Sequence, residues 1–386
     1  MKFKKQLFGF MDMLRFKELV PKRREALANG SPAPLPKEYR VNQQAARLHP
    51  GFMEAELTEI RPLTDTIKAF VFRRVDQKAF PFFRAGQYVS LQVKIGDSLV
   101  SRPYSIASSP DEALKGILIL GIEDAGLLSS YMHHEAKVKD RFMMSEPSGE
   151  FYYESVRDSR KVIAVAGGSG ITPILSMAKS AAQQNDRYEM TLFYGVRSEK
   201  QIAFRDELEQ LKRQGIKIVY VLSDEEKEGF EHGFVSVDLI EKYADIREST
   251  IFMCGPPQMY DFIMKQLQPY ALPLKAVRKD ASCCKDLDIE DPKTYRLTVR
   301  MRAQTYVIDA KENETLLVAM ERAGINAPNK CRAGGCGFCH SKWISGDYSI
   351  AQGRDGRREA DKKFGCIHPC VTYPKSDMEI DVPVAY

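Results

Sequence analysis

Three cysteines within nine residues, Cys331, Cys336 and Cys339, stand in the stretch CRAGGCGFCH at the spacing C-x4-C-x2-C. Thiolate is a soft ligand shared by iron and zinc, so the pattern is one of metal binding. Its last five letters also match the CxxCH of covalent haem attachment. That chemistry belongs to exported or organellar proteins, and the opening MKFKKQLFGFMDMLRFKELV does not read as a signal peptide, because Asp12, Arg15 and Lys17 interrupt its apolar run. The longer spacing is that of a [2Fe–2S] centre whose fourth thiolate comes from elsewhere. Cys366 and Cys370 both lie downstream, and a structural zinc with four thiolates would use the same set. Gly334, Gly335 and Gly337 let such a loop wrap closely and turn its N–H groups towards the sulfurs.

Something must position this loop and supply its electrons. A chain of 386 residues exceeds one hydrophobic core, so two or three domains are expected. With 44% hydrophobic and 28% charged residues it reads as globular, and no stretch approaches the ~20 apolar residues of a membrane-spanning helix. Eight cysteines clustered towards the C-terminus suit metal ligands in a reducing, cytoplasmic setting better than a disulfide framework. Upstream, GQYVSLQVKIGDSLVSRPYSIASSP has β-type runs punctuated by Gly and Pro. RKVIAVAGGSGITPILSMAKSAA then runs an apolar strand into glycines and an amphipathic pattern, a phosphate-facing turn at a strand-to-helix junction. MTLFYGVRSEKQIAFRDEL, IKIVYVLSD and IFMCGPPQMYDFI continue the alternation of a doubly wound parallel sheet.

The segments also carry a resemblance. CRAGGCGFC, CVTYPKSD and the preceding ENETLLVAMERAGINAPNKC resemble plant-type ferredoxins, which implies a β-grasp domain with Cys331, Cys336, Cys339 and Cys370 as cluster ligands; Cys366 falls outside the CVTYP segment. RPYS resembles the first flavin motif of the ferredoxin–NADP reductase superfamily. The likeness implies an antiparallel barrel with Arg102 on the flavin phosphate, Pro103 beside it, Tyr104 on the ring system and Ser105 near N5. GLLSSYMHHEAKVKDRFMMSEPSGEFYY is similar to the second flavin segment, with Gly126, Leu128 and Ser129 at the diphosphate, and favours FAD over FMN. AGGSGITP resembles the nicotinamide-domain motif, implying roles for Gly168, Gly170, Thr172 and Pro173; the Cys-Gly-Pro-Pro segment brings Cys254, Gly255 and Pro256 near the nicotinamide. Tyr104, Ser105 and Cys254 are the expected catalytic groups. Arg197 stands where a 2′-phosphate would be held, but Glu199 beside it favours NADH over NADPH.

The domain order resembles the phthalate dioxygenase reductase and phenylacetyl-CoA epoxidase reductase branches over residues 53–386. Expected boundaries are 51–155 for the flavin barrel, 156–280 for the nucleotide domain, 281–293 for a polar linker with Cys283 and Cys284, and 294–386 for the ferredoxin domain. The resemblance implies an NAD(P)H-dependent oxidoreductase that passes single electrons to an acceptor protein such as an oxygenase; a membrane-associated respiratory subunit and a redox sensor are the alternatives. No nucleic-acid partner is expected. Residues 1–50 lie outside the likeness. There, eleven Lys and Arg face four Asp and Glu, a surplus of seven against +5 for the whole chain. Phe3 to Leu19 read as one side of a basic amphipathic helix, so residues 1–25 are expected to contact a partner or the surface of the inner membrane, and NGSPAPLPKEY reads as a tether.

Overall fold

The computed structural model describes residues 9–29, 39–48, 51–183, 188–280 and 283–383. The first unit holds α1 (Gly9–Ala28) and α2 (Arg40–Leu48). The amphipathic side expected for the arm falls largely on side chains up to Phe16, and the tether on residues 30–38, all outside the described set. No helix among the described residues is long and apolar enough to cross a membrane.

In the second unit the chain first builds an antiparallel barrel from β1 (Phe52–Pro62), β2 (Ile67–Arg74), β3 (Tyr88–Ile95), β4 (Ser98–Ser105), β5 (Leu118–Glu123) and β6 (Arg141–Ser145), with α3 (Pro110–Leu114) and α4 (Leu127–His134). The strand order is β4-β3-β6-β1-β2-β5, and a bridge between Ile106 and Leu120 brings the two ends together. Alternate residues such as Leu57, Phe70, Phe72, Leu91 and Leu120 fill its interior, as period-two strands with one face on a core require.

A parallel sheet follows, from β7 (Lys161–Gly167), β8 (Glu189–Val196), β9 (Lys217–Leu222), β10 (Glu231–His232), β11 (Ser249–Cys254) and β12 (Val277–Lys279), in the order β10-β9-β8-β7-β11-β12. The central strand reads KVIAVAG and is buried from its second residue on, because helices cover both faces. Those helices are α5 (Ile171–Ala182), α6 (Arg205–Arg213), α7 (Val237–Glu241) and α8 (Pro257–Leu267). The order reverses between β7 and β11, and the loops after these two strands open at the same edge, where open α/β sheets bind ligands. Ile67, Ala69, Val71 and Ile119 of the barrel join the same apolar cluster as Ile174, Leu175 and Ala178 of α5, so barrel and nucleotide sheet share a core.

The C-terminal part has β13 (Thr294–Met301), β14 (Gln304–Lys311), α9 (Leu316–Arg322), β15 (Ser341–Ser345), β16 (Tyr348–Ile350), α10 (Glu359–Lys363), β17 (Cys366–Ile367), β18 (Thr372–Pro374) and β19 (Met378–Asp381). A hairpin of β13 and β14, a parallel pairing of β13 with β19 and the order β14-β13-β19-β15-β17 make a mixed sheet that α9 covers. Thr315 caps α9 by accepting from the Val318 N–H at 3.3 Å. The core of this part, with Leu297, Leu316, Met320 and Ile380, shares no residue with the others. An antiparallel barrel, a doubly wound parallel sheet and a ferredoxin-type C-terminal domain are thus present in the expected order.

Candidate functional site

A cleft of ≈ 2780 Å³ runs between the three parts of the second unit. Each of the flavin- and nucleotide-site residues expected from the sequence, from Arg102 to Pro256, borders it, as do Cys331 and Cys336.

Its nucleotide side is shaped by close backbone approach. A Cβ on Gly170 would overlap the Cys254 carbonyl, so only glycine lets the turn after β7 lie against the end of β11. Gly168 adopts φ +54° with open space beside it, leaving the turn accessible from the cleft. The Thr172 hydroxyl donates to the Ser169 carbonyl at 2.8 Å and fixes the start of α5; Pro173 is buried behind it. Burial first, and then Asp280, hold the Cys254 thiol well above its ordinary pKa, so it stays protonated.

Asp280 was not legible from the motifs, and it joins the two halves of the site. Its Oδ2 accepts from the Ser105 hydroxyl at 3.3 Å and lies 3.5 Å from Cys254 Sγ, while its carbonyl accepts from the Tyr260 hydroxyl at 3.0 Å, which in turn accepts from the Gly255 N–H at 3.0 Å. β12 ends one residue earlier, and Arg278 within it is tied to Asp158 at 2.5 Å. The available signal was positional: a strand beside β11 must end at the same edge of the sheet.

On the flavin side, burial raises the Tyr104 phenol well above its ordinary value, so the ring faces the cleft uncharged. Gly126 precedes α4, whose first N–H groups suit an anionic diphosphate. Ser129 Oγ is occupied within its own loop, donating to the Gly126 carbonyl and accepting from the Ala125 N–H, and the Leu128 side chain is part of the barrel core. These two residues thus hold the turn at the start of α4 in place while bordering the cleft. Arg102 departs most from expectation. Its Nη1 donates to both carboxylate oxygens of Glu321, at 2.9 and 2.8 Å, and to the Ser101 carbonyl; Nε and Nη2 have no hydrogen-bond partner among the described residues and remain for a phosphate.

The four expected iron ligands come together. Cys339 Sγ lies 3.4 Å from Cys370 Sγ, Cys331 touches the thiols of Cys336 and Cys370, and N–H groups of Ala333, Cys336 and Phe338 already point at sulfur, at 3.4–3.5 Å. Contact with the Cys336 and Cys370 thiols holds Cys331 far below the usual thiol range and pushes those two up. Thiols this close ionise together only if cations compensate them, as two irons do. The four thiols thus form one contiguous group, in the order Cys336, Cys331, Cys370, Cys339. Gly334 adopts φ +82° with the Arg354 carbonyl where a Cβ would stand, and its own carbonyl accepts from His368 Nδ1 at 2.8 Å, which pins the loop. Cys366 sits on β17, paired with Lys342. The linker is drawn onto this domain: the Cys284 N–H donates to the Arg332 carbonyl at 3.1 Å, and the Tyr373 hydroxyl donates to the Lys285 carbonyl at 2.7 Å.

Residues 54–153 match the family described as oxidoreductase FAD-binding domain, 164–265 the oxidoreductase NAD-binding domain and 299–375 the 2Fe-2S iron-sulfur cluster binding domain. The glycine betaine monooxygenase reductase subunit of Chromohalobacter salexigens is 25% identical over 342 residues, spanning 82% of this chain and 91% of that protein. NADH oxidoreductase HCR of Escherichia coli K12 is 26% identical over 296 residues, spanning 77% and 88%. Among solved structures, phthalate dioxygenase reductase superposes with a TM-score of 0.65 at 22% identity, over 86% of this chain and 98% of that one. With barrel, nucleotide sheet and cluster domain each matched, the chain is an oxidoreductase of the ferredoxin reductase type, with FAD-binding, NAD-binding and C-terminal [2Fe–2S] domains.

Proposed function

We propose that this chain takes electron pairs from NADH and passes them singly to an acceptor protein of the oxygenase type. One observation carries the reading: the loops after β7 and β11, the Tyr104–Ser105 end of β4 and the Cys331–Cys336 side of the cluster loop border a single cleft. The choice of acceptor is supported by relatives such as the glycine betaine protein, by name a monooxygenase reductase subunit.

When bound, the flavin takes up hydride as an electron pair and the cluster accepts one electron at a time. The residues of the chain hold and orient these groups. Arg102 offers Nε and Nη2 to the flavin phosphate, the start of α4 offers N–H groups to the diphosphate, and Tyr104 gives the ring system a flat neutral surface. Ser105, held by Asp280, hydrogen-bonds at the ring edge. The turn at Gly168–Gly170 receives the dinucleotide phosphates, and Cys254, held protonated, stands beside Asp280 at the end of β11 where the nicotinamide arrives. Cys331, Cys336, Cys339 and Cys370 would hold the cluster, with Cys331 and Cys336 on the cleft side.

The preference for NADH rests on charge near Arg197. Glu199, which the sequence suggested as the repelling group, is ion-paired with Arg205 and Lys227. Two further acidic residues lie next to this turn: the Asp224 N–H donates to the Arg197 carbonyl at 2.9 Å, and Glu225 accepts from the Glu199 N–H at 3.0 Å. NADH oxidoreductase HCR, a relative that carries NADH in its name, supports the same choice. With cytochrome c as one-electron acceptor, NADH is expected to exceed NADPH in kcat/KM by at least about tenfold, and Arg197→Ala to leave the NADH value little changed. No cytochrome c reduction by the loaded protein with either dinucleotide would sink the function, while a preference for NADPH abolished by Arg197→Ala would overturn the cofactor choice alone.

A further inference from the structure

Glu321 is a buried carboxylate, 7% exposed, on α9 of the cluster domain, and most of the groups that gather round it come from elsewhere. It accepts from the Ser101 N–H at 3.0 Å, from Arg102 Nη1 at 2.9 and 2.8 Å, and from Arg332 Nη1 and Nη2 at 3.0 and 3.1 Å. Ser101 and Arg102 belong to the flavin strand β4, and Arg332 follows the ligand Cys331. Arg332 Nη1 also donates to the Ser101 carbonyl at 3.1 Å. On the other side of Cys331, the Lys330 carbonyl accepts from the Ser90 hydroxyl of β3 at 3.2 Å, and Lys330 Nζ reaches Glu146 at 2.8 Å. Both sequence neighbours of one cluster ligand are thus fastened to the flavin barrel.

Two guanidinia share this one carboxylate, so the junction carries a surplus positive charge. Arg102 spends only Nη1 on it, and the residue borders the cleft. Interfaces between domains of one chain are commonly loose enough to permit motion, and a small displacement between reacting groups is enough to slow a step by orders of magnitude.

We propose that Glu321 is a positioning residue for electron transfer: it clamps the cluster loop to the flavin strand through Ser101, Arg102 and Arg332, and through Arg102 it links occupation of the flavin phosphate site to that clamp. The inference rests on the reading above, in which the reduced flavin gives one electron to the oxidised cluster; no bond or proton need move in that step.

The test uses the full, cofactor-loaded protein. Glu321→Gln keeps the size of the side chain and removes the charge that two guanidinia share. Mixed anaerobically with NADH, it is expected to reduce its flavin within about twofold of the wild-type rate and its cluster at least about tenfold more slowly. Amide hydrogen exchange should rise together at residues 99–102 and 330–333, with cluster absorption intact. Cluster reduction at the wild-type rate, with exchange unchanged, overturns the proposal. Should Glu321→Gln lose its cluster, Arg332→Lys takes its place: charge is kept but the paired N–H donors are lost, so partial slowing with raised exchange at 99–102 is expected, and wild-type behaviour in both overturns the clamp. If NADH fails to reduce the cluster even in the wild-type protein, the electron path is what fails, and the exchange data alone decide on the clamp.

Discussion

Cys370→Ser is expected to yield a flavoprotein without a working cluster, its iron falling from about two per chain to near zero, while Cys366→Ser keeps both groups. The two residues are four apart, and composition alone does not separate them. Geometry does. Cys370 Sγ lies 3.4 Å from Cys339 and also meets Cys331, whereas Cys366 is a strand residue whose carbonyl accepts from Arg357. Serine at 370 would remove one of the four thiolates, and a hard hydroxyl is a poor substitute for a soft ligand. Iron content, visible absorption and the EPR signal of the reduced protein check this. A cluster that survives Cys370→Ser and is lost in Cys366→Ser would move the fourth ligand to Cys366.

Truncation after Asp280 is expected to separate electron entry from exit. The barrel and the nucleotide sheet share apolar residues, whereas the cluster domain has a core of its own. Its junction with the barrel is chiefly polar, made by Ser90, Ser101, Arg102 and Glu146, so its removal exposes groups that water can satisfy. Asp280 must stay, because it bonds Ser105 and adjoins Cys254. The shortened protein should retain NADH-driven ferricyanide reduction at roughly the full rate and lose cytochrome c reduction by about a hundredfold or more, since the group that hands on single electrons is gone. Cytochrome c reduction that survives the cut would show that the cluster is not on the path.

What could be read in the sequence was what lies close together along it. Three cluster cysteines fall within nine residues and the glycine turn directly follows an apolar strand, so local spacing carried their chemistry, whereas Cys254 and Gly255 were named by the resemblance of their segment. The parallel sheet followed from strand–helix alternation, while the barrel and the domain order came from the resemblance of the motifs to a known family. Asp280 and Glu321 had no such signal. Asp280 meets Ser105 across 175 positions and Glu321 meets Arg102 across 219, and each looks like any acidic residue in a linker or on a helix. Arg102 was read with one partner because its motif names one; the second exists only once the cluster domain packs against the barrel. The linker looked like a polar spacer from its charges, yet Cys284 and Lys285 hydrogen-bond to the cluster domain through their backbone, which side-chain composition does not encode.

The most direct measurement is an anaerobic titration of the full, cofactor-loaded chain with NADH, following flavin absorbance and the EPR signal of the cluster together. One flavin and one [2Fe–2S] cluster hold three electrons, so the end point is expected at about 1.5 NADH per chain, with the cluster reduced. An end point near about one NADH, with the flavin bleached and the cluster still oxidised, would contradict an electron path that runs from dinucleotide to flavin to cluster.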